Sequence, residues 1–268
     1  MKTILHKQVR GGQKLAPLLR PDMSVLLEFG HIDHGLGDCI MFWSVYQELK
    51  RQFPQVKFNL HCRPGQELFN DISTDTYDLL FQVPMIERAG KSKSSICAEE
   101  ELGIVWNPKL EFTYKIPDVP MSDIPIPENA IGLAFQSVSN PRKRLSEDKA
   151  HLIWDCVREA GFSPIEIQFE HIYKKAENTR YPFTDLTCRD FTPSVENCIA
   201  AVRKCRAFIG VSTGPICIAV SLYPERTMHL STCDTWSPKF QAISRISELN
   251  CRDNIDIVSL QAFLEKCK

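Results

Sequence analysis

The sequence predicts an α/β protein of two units, each built on a mainly parallel sheet. Three observations predict it. A strand–turn–helix–strand pattern runs from Val25 to Leu60, and such a pattern forms the start of a parallel sheet. The same pattern restarts at Ile131. Between the two, four prolines fall within residues 117–127, which reads as a stiff extended connector. With 268 residues the chain has room for one large domain or two compact ones. The expected organisation is an irregular segment 1–23, a first unit 24–115, a proline-rich linker 116–128 and a second unit 129–268. The last helix of the second unit is free to pack back on the first.

In the first unit, Gly11-Gly12, Pro17 and Pro21 break any pattern before residue 24. Val25-Leu26-Leu27-Glu28-Phe29 reads as a short buried strand, and Gly30 to Gly37 as a polar turn. From Asp38 to about Gln52 the spacing is helical. Ile40, Trp43, Tyr46 and Leu49 share a face, and Pro54 ends the helix. Val56 to Leu60 is a second strand. Gln66 to Asn70 predicts a short helix, Tyr77 to Val83 a strand and Ser94 to Leu102 a helix.

The second unit opens with a strand at Ile131–Phe135 and a polar turn at Gln136–Leu145. Ser146 then caps a helix that carries Ile153, Cys156 and Val157 inward and stops at Gly161. A strand at Ile165–Phe169 precedes a loop of about 20 residues, long enough to be a functional candidate. Thr192 and Pro193 predict a helix start. Ala207–Val211 reads as a strand, Ser212–Pro215 as a tight turn and Ile216–Leu222 as a short helix. Thr227–Leu230 is a strand and Val258–Lys266 a closing helix.

Composition narrows the function classes. Apolar residues make up 43% and charged residues 24%, which excludes a chain disordered throughout. Thirty-two basic and 33 acidic side chains leave a net charge of −1, so there is no strong nucleic-acid signal. The eleven cysteines form no CxxC and several fall at apolar positions, which predicts mostly packed free thiols in a reducing compartment, the cytoplasm. Only His61-Cys62 and His229 with Cys233 approach metal-ligand spacing, and no metal site is expected. No signal peptide and no transmembrane segment is expected. Peripheral membrane contact and the oligomeric state stay open.

Three turns carry candidate chemistry. His31-Ile32-Asp33-His34-Gly35-Leu36-Gly37-Asp38 lies where a strand hands over to a helix, the edge at which open α/β sheets bind ligands. Gly35 and Gly37 let a ligand approach the backbone, and Asp38 is the candidate acid–base group. The plain alternative is that Asp38 caps its helix, worth about 0.5–2 kcal/mol. Ser212-Thr213-Gly214-Pro215 offers two hydroxyls and a helix start to a phosphate; the alternative is an ordinary turn. Gln136 to Arg144 follows the first strand of the second unit. Its Arg142-Lys143-Arg144 run is either a solvated charge run or a diphosphate grip in the same crevice as Ser212–Pro215. Together these turns suit group transfer from a phosphorylated donor held mainly by the second unit.

On these motifs the chain resembles the heptosyltransferase-like glycosyltransferases (glycosyltransferase family 9-like). The match rests on Gly35-Leu36-Gly37-Asp38 followed by Phe53-Pro54, on Ile131–Phe135 with the basic turn, and on Ala207 to Ala219. It spans about residues 24–225. The resemblance implies two facing Rossmann-like domains of GT-B type, the first for the acceptor and the second for the donor. It implies inverting sugar transfer from a nucleotide-diphosphate sugar, a co-substrate rather than a tightly bound cofactor, to a hydroxyl acceptor such as a glycan, without a metal. Asp38 would be the general base. Gly35, Gly37, Gln136, Arg142, Lys143, Arg144, Ser212, Thr213, Gly214, Pro215 and Cys217 would form the ligand-binding set. Ser212 stands where the family often has an acidic residue, and Cys217 where it usually has histidine. Two alternatives accompany this expectation: a catalytically silent nucleotide-sugar or glycan binding protein, and a nucleotide-sugar epimerase.

Overall fold

The structure is a computed structural model that describes residues 3–9, 13–29, 35–83, 91–120, 124–137, 141–168, 181–183, 194–232 and 245–268. The chain divides into two compact units, 1–117 and 118–268. Each has a parallel sheet with helices, as the patterning predicts.

The first unit holds four parallel strands in the order β1-β4-β2-β3. They are β1 (Thr3–Val9), β2 (Ser24–Phe29), β3 (Lys57–Cys62) and β4 (Thr76–Val83). The first of these corrects the expected irregular segment 1–23. Thr-Ile-Leu-His-Lys-Gln-Val has no clean alternation, and its pairing with β4 is what makes it a strand. The helix α1 (Leu36–Gln52) links β2 to β3. It begins at Leu36 rather than Asp38, and it ends before Pro54, which lacks the N–H to continue. Its buried face includes Ile40, Tyr46 and Leu49, and Phe42 stacks on Phe29 of β2 at 4.5 Å. Trp43 is half-buried, and its indole N–H donates to the Lys115 carbonyl at 2.9 Å. The helix α2 (Lys93–Ser95) continues as a π-helix over Ile96–Leu102, and the Ser92 hydroxyl caps it by accepting from the Ser95 N–H.

The second unit has five parallel strands in the order β6-β5-β7-β8-β9. They are β5 (Ala130–Ala134), β6 (Ser163–Glu166), β7 (Ala207–Gly210), β8 (Thr227–Ser231) and β9 (Ser247–Asn250). Every residue of β5, β7 and β8 is buried, which is why β5 and β7 read as unbroken apolar runs. The edge strand β9 escaped the sequence pattern, because in Ser-Glu-Leu-Asn only Leu249 is buried. The helices are α3 (Glu147–Glu159), α4 (Val195–Lys204), α5 (Gly214–Leu222) and α6 (Ile257–Lys266).

Two caps differ from expectation. Ser146 occupies the N-cap of α3 but makes no side-chain cap bond. Ser194 caps α4 by accepting from the Asn197 N–H at 3.2 Å, whereas Thr192 and Pro193 lie outside the described residues, as does most of the long loop before them. Gly161, at φ +88°, closes α3 as expected. Its N–H donates to the Arg158 carbonyl and that of Phe162 to the Val157 carbonyl, a left-handed stop that glycine adopts without strain. The closing helix α6 buries Leu260, Phe263 and Leu264 in the second unit's own core with Ile153 and Trp154.

Glycine at 132 is a packing requirement. A Cβ there would stand 2.6 Å from a ring carbon of the fully buried Phe208. Gly132→Ala is expected to destabilise the protein by about 1–3 kcal/mol through overpacking. The measurement is the urea midpoint, which should fall while the slope stays constant.

Candidate ligand-binding site

In the first unit the candidate site starts at the carboxyl end of β2, next to β4. Residues 30–34, which include His31, Asp33 and His34, lie outside the described residues. Gly35 is the N-cap of α1, Gly37 lies in its first turn, and Asp38 is the third helical residue rather than the first. The Asp38 carboxylate reaches back so that Oδ2 accepts from the Gly35 N–H at 3.2 Å. The capping role is thus real. The other oxygen, Oδ1, accepts from the Lys93 ammonium at 3.0 Å. These two side chains are 15% and 12% exposed, so the pair is largely shielded yet still reachable from solvent. A Cβ on Gly35 would meet nothing within 4 Å, so local packing does not demand glycine there.

Nothing in the sequence links Lys93 to Asp38. The sheet order does, because β4 lies beside β2 and delivers the chain that follows it to the same edge. Cys62, read with His61 as a weak metal pair, instead has its Sγ 3.8 Å from that of Cys39, and both thiols are buried.

In the second unit the chain leaves β5 through α3 to β6 on one side, while β7 lies on the other. That is a topological switch point, where open α/β sheets form a crevice at their carboxyl ends. The exits of β5 and β7 therefore lie side by side. The Val211 N–H donates to the Ala134 carbonyl at 2.8 Å, tying the two exits together. Gln136 is fully buried and its carbonyl accepts from the Gln168 amide at 2.7 Å, which makes it part of the floor.

The basic run divides. Lys143 is buried at 2% exposure, and its charge acts on His229. Arg142 and Arg144 instead line a cavity of about 200 Å³ with Lys149 and Arg252. The Arg144 guanidinium also lies over the Tyr181 ring at 5.2 Å.

After β7, the Ser212 hydroxyl lies 2.9 Å from His229 Nε2, and both residues are buried. Burial, and after it the nearby Lys143 ammonium, lower the imidazole pKa from 6.5 to about 4, so His229 is neutral near pH 7. Thr213 is the N-cap of α5 but makes no side-chain cap bond. It is 8% exposed, and its Oγ1 is buried without a hydrogen-bond partner. Gly214 and Pro215 open the helix, and Pro215 is buried. Cys217 is a buried free thiol one turn further on.

Lys93, Lys149, Tyr181 and Arg252 carried no sequence signal, and His229 only a weak one as a metal ligand. Trp106, which lies between regular elements, is buried. Among the described residues, no three His, Cys, Asp or Glu side chains converge to hold a metal ion. No helix among them is long and apolar enough to cross a membrane.

Solved structures share this fold. The glycosyl transferase family 9 protein from Veillonella parvula DSM 2008 superposes with a TM-score of 0.56 at 12% identity, over 85% of each chain. The E. coli ADP-heptose lps heptosyltransferase II gives 0.54 at 15% identity, over 91% of this chain and 99% of that one. An E. coli heptosyltransferase with ADP gives 0.55 at 9% identity, over 92% of this chain and all of that one. No family model and no curated protein matches the chain in sequence. The likeness is one of fold: two mainly parallel α/β domains of GT-B type.

Proposed function

We propose that this protein is a glycosyltransferase that moves a sugar from a nucleotide-diphosphate donor to an acceptor hydroxyl with inversion. The observation that carries the reading is Thr213. A nearly buried hydroxyl without a protein partner, at the start of a nine-residue helix and on the same sheet edge as Lys143, is what a phosphate oxygen would complete. The similarity in fold to a heptosyltransferase with ADP supports the same ligand class.

In this mechanism Asp38 takes the proton of the acceptor hydroxyl. The resulting oxygen attacks the anomeric carbon from the face opposite the leaving group, a new C–O bond forms, and the bond to the donor phosphate breaks with its electrons leaving on the diphosphate. Lys143 and the N–H groups at the start of α5 stabilise that charge, so the scheme needs no divalent cation. The acceptor is a hydroxyl compound such as a glycan, met by the first unit. A cytoplasmic location fits the nine described cysteines, all free and buried.

The test is a thermal-shift series with ADP, UDP, GDP and CDP. One nucleotide is expected to raise the melting temperature, by about 2.7 kcal/mol of stabilisation at a hundredfold excess over its Kd. Thr213→Val should weaken that effect. No shift with any of them at millimolar concentration would overturn the reading. A second reading has its own support: both Asp38 oxygens are engaged, by Gly35 and Lys93, as in a binding protein that has no use for a free base.

A further inference from the structure

We propose that Cys39 and Cys62, in the first unit, form a site of reversible oxidation that reacts with small soluble disulfides. Cys39 lies at the end of the first turn of α1, next to Asp38, and Cys62 is the last residue of β3. Their sulfurs are 3.8 Å apart, and the Cys39 thiol donates to the Cys62 sulfur. A disulfide bond spans about 2.0 Å, so the two sulfurs have only about 2 Å to close. The site does not depend on the sugar-transfer reading.

The fold holds the two chains at this separation. Cys62 is the register partner of Phe29 on β2, and Phe29 stacks at 4.5 Å on Phe42, one turn beyond Cys39 in α1. Further along the helix, the Tyr46 hydroxyl donates to the Asp71 carboxylate at 2.7 Å and lies 3.2 Å from the Phe58 carbonyl of β3. The Cys62 N–H donates to Asn70 Oδ1 at 2.7 Å. Helix and strand are thus pinned on both sides of the pair. Two sulfurs held in this way react with each other more readily than with a second small molecule from solution.

The contact also orders the chemistry. Burial, and after it the hydrogen bond to Cys62, pushes the Cys39 thiol well up, so Cys39 keeps its proton. That proton points at Cys62 and stabilises a thiolate there, which makes Cys62 the attacking sulfur. The Cys62 thiolate attacks one sulfur of the small disulfide. That S–S bond breaks, and the first small thiolate leaves and takes up the proton Cys62 gave up. The Cys39 sulfur then attacks Cys62, and its proton passes to the second small thiolate as the mixed disulfide breaks. Two protein thiols are oxidised and one small disulfide is reduced to two thiols, so excess thiol reverses the reaction. Both cysteines are buried, yet the pair sits at the edge of the core. Gly35, Pro64 and Gly65 are exposed, and Asp38 and Arg63 are half-buried. Opening of the start of α1 costs less than global unfolding and admits the reagent. The bond then fastens the turn that carries Asp38 to the end of β3.

The experiment incubates the full chain, first reduced and freed of reductant, with millimolar oxidised glutathione. Remaining thiols are then blocked with N-ethylmaleimide, and the protein is digested and mapped by mass spectrometry. Most chains are expected to carry a Cys39–Cys62 crosslink that dithiothreitol removes, while far-UV circular dichroism stays that of the reduced protein. In Cys39→Ala the crosslink is lost and Cys62 is expected to retain glutathione as the mixed disulfide. Cys39 and Cys62 both recovered as alkylated thiols from folded wild type would overturn the proposal. So would oxidation confined to other cysteines, or a Cys39–Cys62 crosslink that forms only in denaturant. A wild-type crosslink with no glutathione on Cys62 in Cys39→Ala would overturn the assignment of Cys62 as the attacking sulfur.

Discussion

Replacing Asp38 with asparagine is expected to lower the rate of sugar transfer by about 10²–10⁴-fold, the usual contribution of a positioned general base. The substitution isolates the chemistry from the fold. The asparagine side-chain carbonyl can still accept from the Gly35 N–H, which Asp38 now holds at 3.2 Å, so the start of α1 stays capped. What disappears is the negative charge that faces the Lys93 ammonium at 3.0 Å and that takes the proton in the proposed mechanism. The effect should fall on kcat, with the KM of the donor nearly constant, because the proposed donor site lies in the second unit. The assay uses the sugar of whichever nucleotide gives the thermal shift, and far-UV circular dichroism checks that the variant is folded. A fully active Asp38→Asn protein would remove Asp38 from the chemistry. An inactive wild type that still binds the nucleotide would favour the silent binding protein.

Acidification is expected to destabilise the second unit through His229. Its folded pKa, about 4, lies below the ordinary 6.5, mainly because burial disfavours the imidazolium and then because Lys143 repels it. Between these two values the unfolded chain binds a proton that the folded chain refuses. Stability is therefore intact above about pH 6.5 and is lost as the pH falls towards 4, by about 3 kcal/mol in total for the shift of 6.5 to about 4. The measurement is the urea midpoint at several pH values in wild type and in His229→Gln. Glutamine cannot titrate but can still hydrogen-bond the Ser212 hydroxyl, so the variant should show a flatter pH dependence in this range. An equally steep loss in the variant would assign the effect to other groups.

Much of the candidate site was legible because it hangs on local signals. Strand ends, glycines and helix starts are written in adjacent residues, and they located the turns bearing Asp38 and Ser212–Pro215. The roles of individual side chains within those turns were not legible. Three consecutive basic residues look alike in sequence, yet Lys143 is buried while Arg142 and Arg144 line a cavity. Glu48 shows the same limit: it is 2% exposed in α1 because Arg51, Gln52 and the distant Tyr114 all donate to its carboxylate.

By itself the sequence determined two parallel α/β units and the exits of their strands, because apolar runs and turn residues act over a few positions and need no distant partner. Only the tertiary structure decided that Thr3–Val9 is a strand, that Lys93 meets Asp38, and that Ser212 meets His229. Each of these depends on two segments far apart in the chain being brought together by sheet order, and no local spacing encodes which strands become neighbours.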